Sequence, residues 1–253
     1  MSVKQRTLKS EFSLNGKGLH TGKPVSATFK PAEENFGYRI RRVDLEGSPE
    51  IPALAEYIKL MDRASCLEKD GVCVFTMEHA MAALYGSGID NCLIELNGEE
   101  FPILDGSSKY YVEEIGKVGI EEQEAERRYF TVKEQMEYCS EDGQTKITLL
   151  PDTDYNVNLV VAYDSPYLQM QYATYSEKTT DFAKEIAPCR TFVFLRELEM
   201  LLQHNLIKGG DLDNAIVIVD REISQEEVNR LAKLFNYDSI EVKQGVLNNL
   251  TLY

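Results

Sequence analysis

The sequence predicts an α+β protein built as two similar units, and three observations carry that reading. Short stretches in which apolar and polar residues alternate open each half of the chain. Each half then runs into segments with helical periodicity. Between the halves, Glu121-Glu122-Gln123-Glu124-Ala125-Glu126-Arg127-Arg128 is the most polar run and reads as a solvated linker. The predicted units are therefore residues 1–126 and 127–253. They repeat the same order of elements, although their sequence similarity is too faint to count as a repeat.

In the first unit, residues 4–14 read as strand, leading into a glycine-punctuated turn with His20 and Thr21 at its polar tip. Residues 25–29 and 38–43 alternate as strands. Residues 66–68 and 72–75 form a hairpin around Lys69-Asp70-Gly71. A helix over 76–86 follows, with Thr76 as N-cap and Gly86 at its end. Met77, Ala80, Met81 and Leu84 make its buried stripe. Residues 91–96 are a strand before an Asn97-Gly98 turn, and 107–115 a second helix with Tyr111 and Ile115 inward.

In the second unit, strands are predicted over 129–138, 146–150 and 156–163, with an Asp142-Gly143 turn. Helices follow over 176–185 and 195–204, the latter with Leu195, Leu198, Leu201 and Leu202 on one face. Residues 215–219 form a strand buried on both sides. Ser224 caps a helix with an acidic first turn that runs to about Phe235, and 245–253 read as a last strand.

Composition narrows the function. The 253 residues are 43% hydrophobic and 27% charged, with a net charge of -15, as expected of a soluble globular protein. That charge argues against nucleic acid or an anionic membrane surface as a main partner. Five cysteines at irregular spacing, with no C-x-x-C, read as reduced thiols in a cytoplasmic protein. The N-terminus lacks the apolar run of a signal peptide, and no stretch approaches the roughly 18 apolar residues of a membrane span.

Chemistry is concentrated at few residues. Glu78 and His79 stand off the buried stripe in the first turn of the 76–86 helix. The positions one turn on from His79 are the small Ala82, Ala83 and Gly86. Neutral imidazole binds zinc, and a neighbouring carboxylate can take a proton from a bound water. Alone, the same pair is more often an ordinary solvated helix end than a metal site. Of the two other histidines, His204 suits a helix C-terminus, whereas His20 sits at a loop tip. Pro102-Ile103-Leu104-Asp105-Gly106-Ser107 alone reads as an Asp-Gly turn before a helix, and Lys208-Gly209-Gly210-Asp211 as a weak phosphate-loop pattern. The H-E-x-x-H, G-x-S-x-G, P-loop and dinucleotide signatures are all missing.

Taken together these segments say more. Gly18-Leu19-His20-Thr21-Gly22, Thr76-Met77-Glu78-His79, Gly88-Ile89-Asp90-Asn91, Pro102-Ile103-Leu104-Asp105-Gly106-Ser107, Arg190-Thr191-Phe192 and Asp213-Asn214-Ala215-Ile216-Val217 occur in characteristic order and spacing. The chain closely resembles the UDP-3-O-acyl-N-acetylglucosamine deacetylases, the zinc amidases of lipid A biosynthesis, from Lys4 to its last residue. The resemblance implies two domains, each a small, mainly antiparallel sheet packed on helices. The helices of the two face each other across the active site. It implies zinc as cofactor, His79 as the first zinc ligand and Glu78 as general base. Thr191 then helps hold the oxyanion, with Phe192 beside it in the substrate pocket. Tyr163 matches an aromatic that packs on uracil, and Phe194, Ile207, Gly210, Ala215 and Val217 match the acyl tunnel. His20 falls in a loop near the site. By composition alone, residues 215–219 read equally well as plain core.

The departures matter as much. The family takes its other zinc ligands from an H-K-x-x-D motif, and uses a further histidine to protonate the leaving amine. No histidine follows His204 here. The expectation is a truncated chain whose second domain is incomplete and whose remaining zinc ligands lie beyond Tyr253. Some members are fused at the C-terminus to a hydroxyacyl-carrier-protein dehydratase, which makes such a domain a possible partner. Ser165 precedes Pro166 where the family usually has a histidine. The competing reading is a non-catalytic module that keeps the fold and a sugar-nucleotide or acyl pocket.

Overall fold

The computed structural model describes residues 3–61, 64–163, 165, 168, 170–204, 206–219, 221–235 and 237–240. The fold is mixed α+β, with several small sheets rather than one large one. The predicted strand over 245–253 and the side chain of Leu202 lie outside the described residues.

The largest sheet has five strands in the order β2 (Phe12–Lys17), β3 (Pro24–Pro31), β9 (Cys92–Leu96), β4 (Tyr38–Arg42) and β5 (Glu50–Pro52). Every pairing in it is antiparallel except β4 with β9. One face meets α1 (Glu78–Gly86) and α2 (Lys109–Val118) in a continuous core. Phe29, Ile40, Ile94 and Leu96 from the sheet pack there with Ala80, Ala83, Leu84, Tyr111 and Ile115 from the helices. Phe29 lies stacked on Phe12 and meets Tyr111 edge-on, the arrangements that aromatic quadrupoles favour. The opposite face carries an ion-pair ladder of Lys30, Glu95, Arg41 and Glu50.

A three-stranded antiparallel sheet of β6 (Ile58–Met61), β7 (Ala64–Lys69) and β8 (Val72–Phe75) feeds α1. Here the structure departs from expectation. Thr76 does not cap α1; Met77 occupies that position without a side-chain cap bond. Thr76 instead has φ of 56°, a left-handed conformation that a β-branched residue adopts only under strain. Its hydroxyl turns away from the helix to the buried Glu100 carboxylate.

The acidic run is also not a linker. β10 (Ile120–Glu126) pairs antiparallel with β1 (Lys4–Leu8). An edge strand tolerates so many charges because most of its side chains face water. Gln123 is the inward exception, donating to Ala32 O and accepting from Asn91 Nδ2.

Beyond it lie two antiparallel ribbons, β11 (Met136–Cys139) with β12 (Lys146–Leu149), and β13 (Asn156–Val161) with β14 (Gln171–Ser176). The predicted strand over 129–138 is thus shortened to its end. The predicted helix over 176–185 is replaced by the end of β14 and one wide turn, Phe182–Ile186, which Asp181 caps by accepting from Lys184 N. Next come β15 (Phe192–Phe194), α3 (Leu195–Gln203), β16 (Ile216–Ile218) and α4 (Gln225–Leu234), with β15 and β16 paired in parallel. α3, β16 and α4 agree with the sequence reading. Ser224 and Glu227 form a complete capping box, and nearby Arg221 holds the Glu227 carboxyl down to about 2. All five cysteines are free thiols.

Candidate functional site

The site is assembled around the loop of residues 102–108, which links the N-terminal core to the segment before β15. Leu104, at φ of 53°, and Gly106, at 79°, give the loop a conformation that only Gly106 adopts without strain. Glycine is also required at 106 by space, because a Cβ there overlaps the carbonyl oxygen of Asn214. Across the loop, Thr191 N donates to Gly106 O at 2.8 Å, and the buried Arg190 donates through Nε to Asp105 O at 2.6 Å. On the other side, Ser108 Oγ donates to the carbonyl of His79 at 2.9 Å. One loop therefore ties α1 and Thr191 together.

Glu78 is exposed at the first turn of α1, and His79 is half-buried beside it. The Nδ1 atom of His79 is shielded from water and has no hydrogen-bond partner among the described residues. Burial pushes the imidazole below its ordinary value of 6.5, against the opposing charges of Glu78 and Asp105. That shift favours the neutral form, the one a metal ion binds. A buried ring nitrogen left without a partner costs free energy unless something takes its lone pair or proton. His79 thus fits a metal-ligand role. It does not make a site alone: among the described residues, no group of three or more His, Cys, Asp or Glu could hold a metal ion. The small residues on the His79 face do admit something bulky, since the Phe182 ring lies where a Cβ of Gly86 would be.

The other predicted residues fall into two groups. Tyr163, Phe192 and Phe194 form a mutual edge-to-face cluster with ring centroids 5.5–5.8 Å apart. Ile207, Gly210 and Val217 lie elsewhere. Ile207 packs with Val217 in a cluster with α3 and α4, and Gly210 N donates to Ile207 O. Parallel pairing of β15 with β16 explains the division, because alternate residues point to opposite faces. Half-buried Ala215 sits at the start of β16, where Ile216 N donates to Thr191 O. The structure therefore does not gather Phe194 with the other predicted tunnel residues. His20 joins the second group: its Nδ1 lies 2.8 Å from Leu206 O, and Gly209 N donates to Leu19 O.

Sequence reasoning passed over three buried polar residues, Glu100, Arg190 and Asn214. Arg190 and Asn214 lay inside motifs already singled out, but nothing in their spacing marked them as the groups that fasten loops. Asn214 Nδ2 donates to Gly209 O while its Oδ1 accepts from Asp211 N.

Residues 5–235 match the family profile described as LpxC, UDP-3-O-acyl N-acetylglycosamine deacetylase. The chain belongs to that family. It is 50% identical over 251 residues to the bifunctional enzyme LpxC/FabZ of Bacteroides thetaiotaomicron, covering 99% of this chain and 54% of that protein. Similarity to the protein of the same name from Porphyromonas gingivalis is 49% over 250 residues, 98% of this chain and 54% of that one. The UDP-3-O-acyl-N-acetylglucosamine deacetylase of Marinobacter nauticus is 41% identical over 248 residues, covering 97% of this chain and 79% of that protein. The chain thus spans about half the length of the bifunctional relatives. Among the described residues, no helix is long and apolar enough to cross a membrane.

Proposed function

We propose that the protein hydrolyses the acetamide of a UDP-3-O-acyl-N-acetylglucosamine, releasing acetate and a free amine for lipid A biosynthesis in the cytoplasm. The observation that carries this reading is the partnerless, buried Nδ1 of His79 next to an exposed Glu78, in a chain of this family. On this reading His79 is one zinc ligand. Zinc, when bound, supplies Lewis acidity toward water and the amide carbonyl. Glu78 takes a proton as water attacks the amide carbon. Thr191 donates its hydroxyl to the developing oxyanion, and the 102–108 loop that bonds its backbone also bonds α1. The carbon–nitrogen bond then breaks, acetate leaves, and the amine takes up a proton.

The two groups of side chains divide the substrate between them. The Tyr163–Phe192–Phe194 cluster suits the flat uracil ring, and the aliphatic side holding Ile207, Gly210, Ala215 and Val217 suits the acyl chain, with His20 at its mouth. Phe194, which the family pattern puts in the tunnel, lies with the aromatic rings instead. The chain is read as two domains, 1–126 and 127–253, with the helices of each facing the site. A C-terminal hydroxyacyl-carrier-protein dehydratase is the proposed partner domain, by analogy with the bifunctional relatives.

The test is zinc content and turnover of the full-length gene product. Glu78→Gln lowers kcat by about 10²–10⁴-fold with zinc retained. His79→Ala loses both zinc and turnover; full activity in that variant overturns the assignment. Binding of the UDP-sugar with no turnover by the wild type favours a non-catalytic module instead.

A further inference from the structure

We propose that Glu100 is a positioning residue, a buried anion that locks the His20 loop to the strained turn from which α1 starts. The proposal rests on the reading of α1 as carrier of the reactive pair. Glu100 is only 2% exposed, yet its carboxylate is fully engaged. Oε1 accepts from His20 N at 2.8 Å and from Thr76 Oγ1 at 3.1 Å. Oε2 accepts from Thr21 N at 2.9 Å and from Thr21 Oγ1 at 2.8 Å. Four donors, two to each oxygen, fill what an ionised carboxylate can accept in plane, and such charge-assisted bonds are about twice as strong as neutral ones.

These four bonds join segments that are far apart in sequence. On one side is Thr76, held at a φ that costs roughly 1–3 kcal/mol and survives only where its surroundings over-determine it. Thr76 N donates to Ser65 O, Phe75 N to Glu99 O and Phe101 N to Phe75 O, so the backbone on both sides of the carboxylate is pinned. Glu78 and His79 follow within three residues, so the direction in which α1 sets out is decided at this point. On the other side is the tip of the His20 loop. Gly18 is there because a Cβ at that position overlaps the Glu100 carboxylate. The same loop receives Lys208 N on His20 O and Gly209 N on Leu19 O. Glu100 thereby fixes the His20 imidazole, the 206–210 loop and the entry to α1 in one frame. A neutral side chain of the same shape cannot do this. Glutamine replaces one acceptor oxygen by an NH₂ group, to which a threonine hydroxyl can turn and accept but a backbone N–H cannot, so the amide of either Thr21 or His20 loses its acceptor.

The experiment uses the full-length gene product as wild type, Glu100→Gln, His20→Ala and the double variant. Hydrogen exchange at the His20 and Thr21 amides accelerates in Glu100→Gln. A displacement of about 1 Å at the reacting groups costs about 10²-fold in kcat, and KM and bound zinc stay near wild type. Because Glu100 acts partly through the His20 loop, the losses in the double variant fall short of additive. Should Glu100→Gln fail to fold, Thr21→Val removes one half-buried hydroxyl donor to Glu100 and gives the same pattern in smaller measure. A lowered Tm with kcat unchanged overturns the proposal, as do additive losses or unchanged exchange at both amides. If the wild type itself shows no deacetylation, the functional reading fails, while the exchange experiment still decides whether Glu100 holds the loop.

Discussion

Residues 4–126 and residues 136–176 both have strand as their main regular structure, yet they use apolar residues in opposite ways. In β3, side chains alternate between the core and the surface, and Val25, Ala27 and Phe29 are buried. In β11 and β12 every residue is exposed, and in β13 all but Val161 are. Leu159 and Val160 are about half exposed despite being as apolar as anything in β3. Sequence alternation and β-branching are enough to make a ribbon, but burial requires a second layer. α1 and α2 supply that layer for the first region. Among the described residues, no side chain of the ribbons belongs to a buried core cluster.

Substitutions can sharpen this contrast. The largest effect is expected for Phe29→Ala, which empties the middle of the N-terminal core and costs about 3–5 kcal/mol of unfolding free energy. Urea denaturation of the full-length protein measures it, and a loss below 1 kcal/mol denies that this core is the stable one. Gly106→Ala acts where the first region meets the segment before β15. It forces a left-handed alanine against the Asn214 carbonyl and costs more than about 1 kcal/mol. Its signature is faster hydrogen exchange at Thr191 N, with the amides of β3 and β9 still protected. Uniform loss of protection instead means that the two regions unfold as one unit. The smallest effect belongs to Leu159→Ala, expected within about 0.5 kcal/mol because its side chain is already half in water. A loss as large as that of Phe29→Ala would show that the full-length protein covers this ribbon.

What could be read in the sequence follows the same line. Elements whose periodicity reports real burial were legible: α2 with Tyr111 and Ile115 inward, α3 with its leucines, and α4 with its capping box. The readings that failed rested on local chemistry that tertiary contacts overrode. Thr76 looks like a helix cap, but its hydroxyl has a stronger acceptor in Glu100, a residue distant in sequence and unmarked by any motif. Residues 121–128 look like a linker because charge dominates them, and the pairing with β1 that makes a strand of them leaves no local trace. In the candidate site, Glu78, His79 and Thr191 were singled out through their motifs, and the roles proposed for them rest on the family pattern. Arg190, Asn214 and Glu100 were not, because a buried polar residue that fastens a loop has no fixed spacing from what it fastens.

The short parallel pair of β15 and β16 is three rungs long, with β16 buried throughout and β15 half-buried except at Phe194. It works as a partition one strand thick: Phe192, Phe194, Ile216 and Ile218 look toward the aromatic rings, Val193 and Val217 toward the aliphatic side. A residue on one side can be exchanged without being felt on the other, so the two surfaces can vary independently through evolution. A slip of one residue would turn both surfaces inside out together. Whatever selects for either surface therefore holds the register of both.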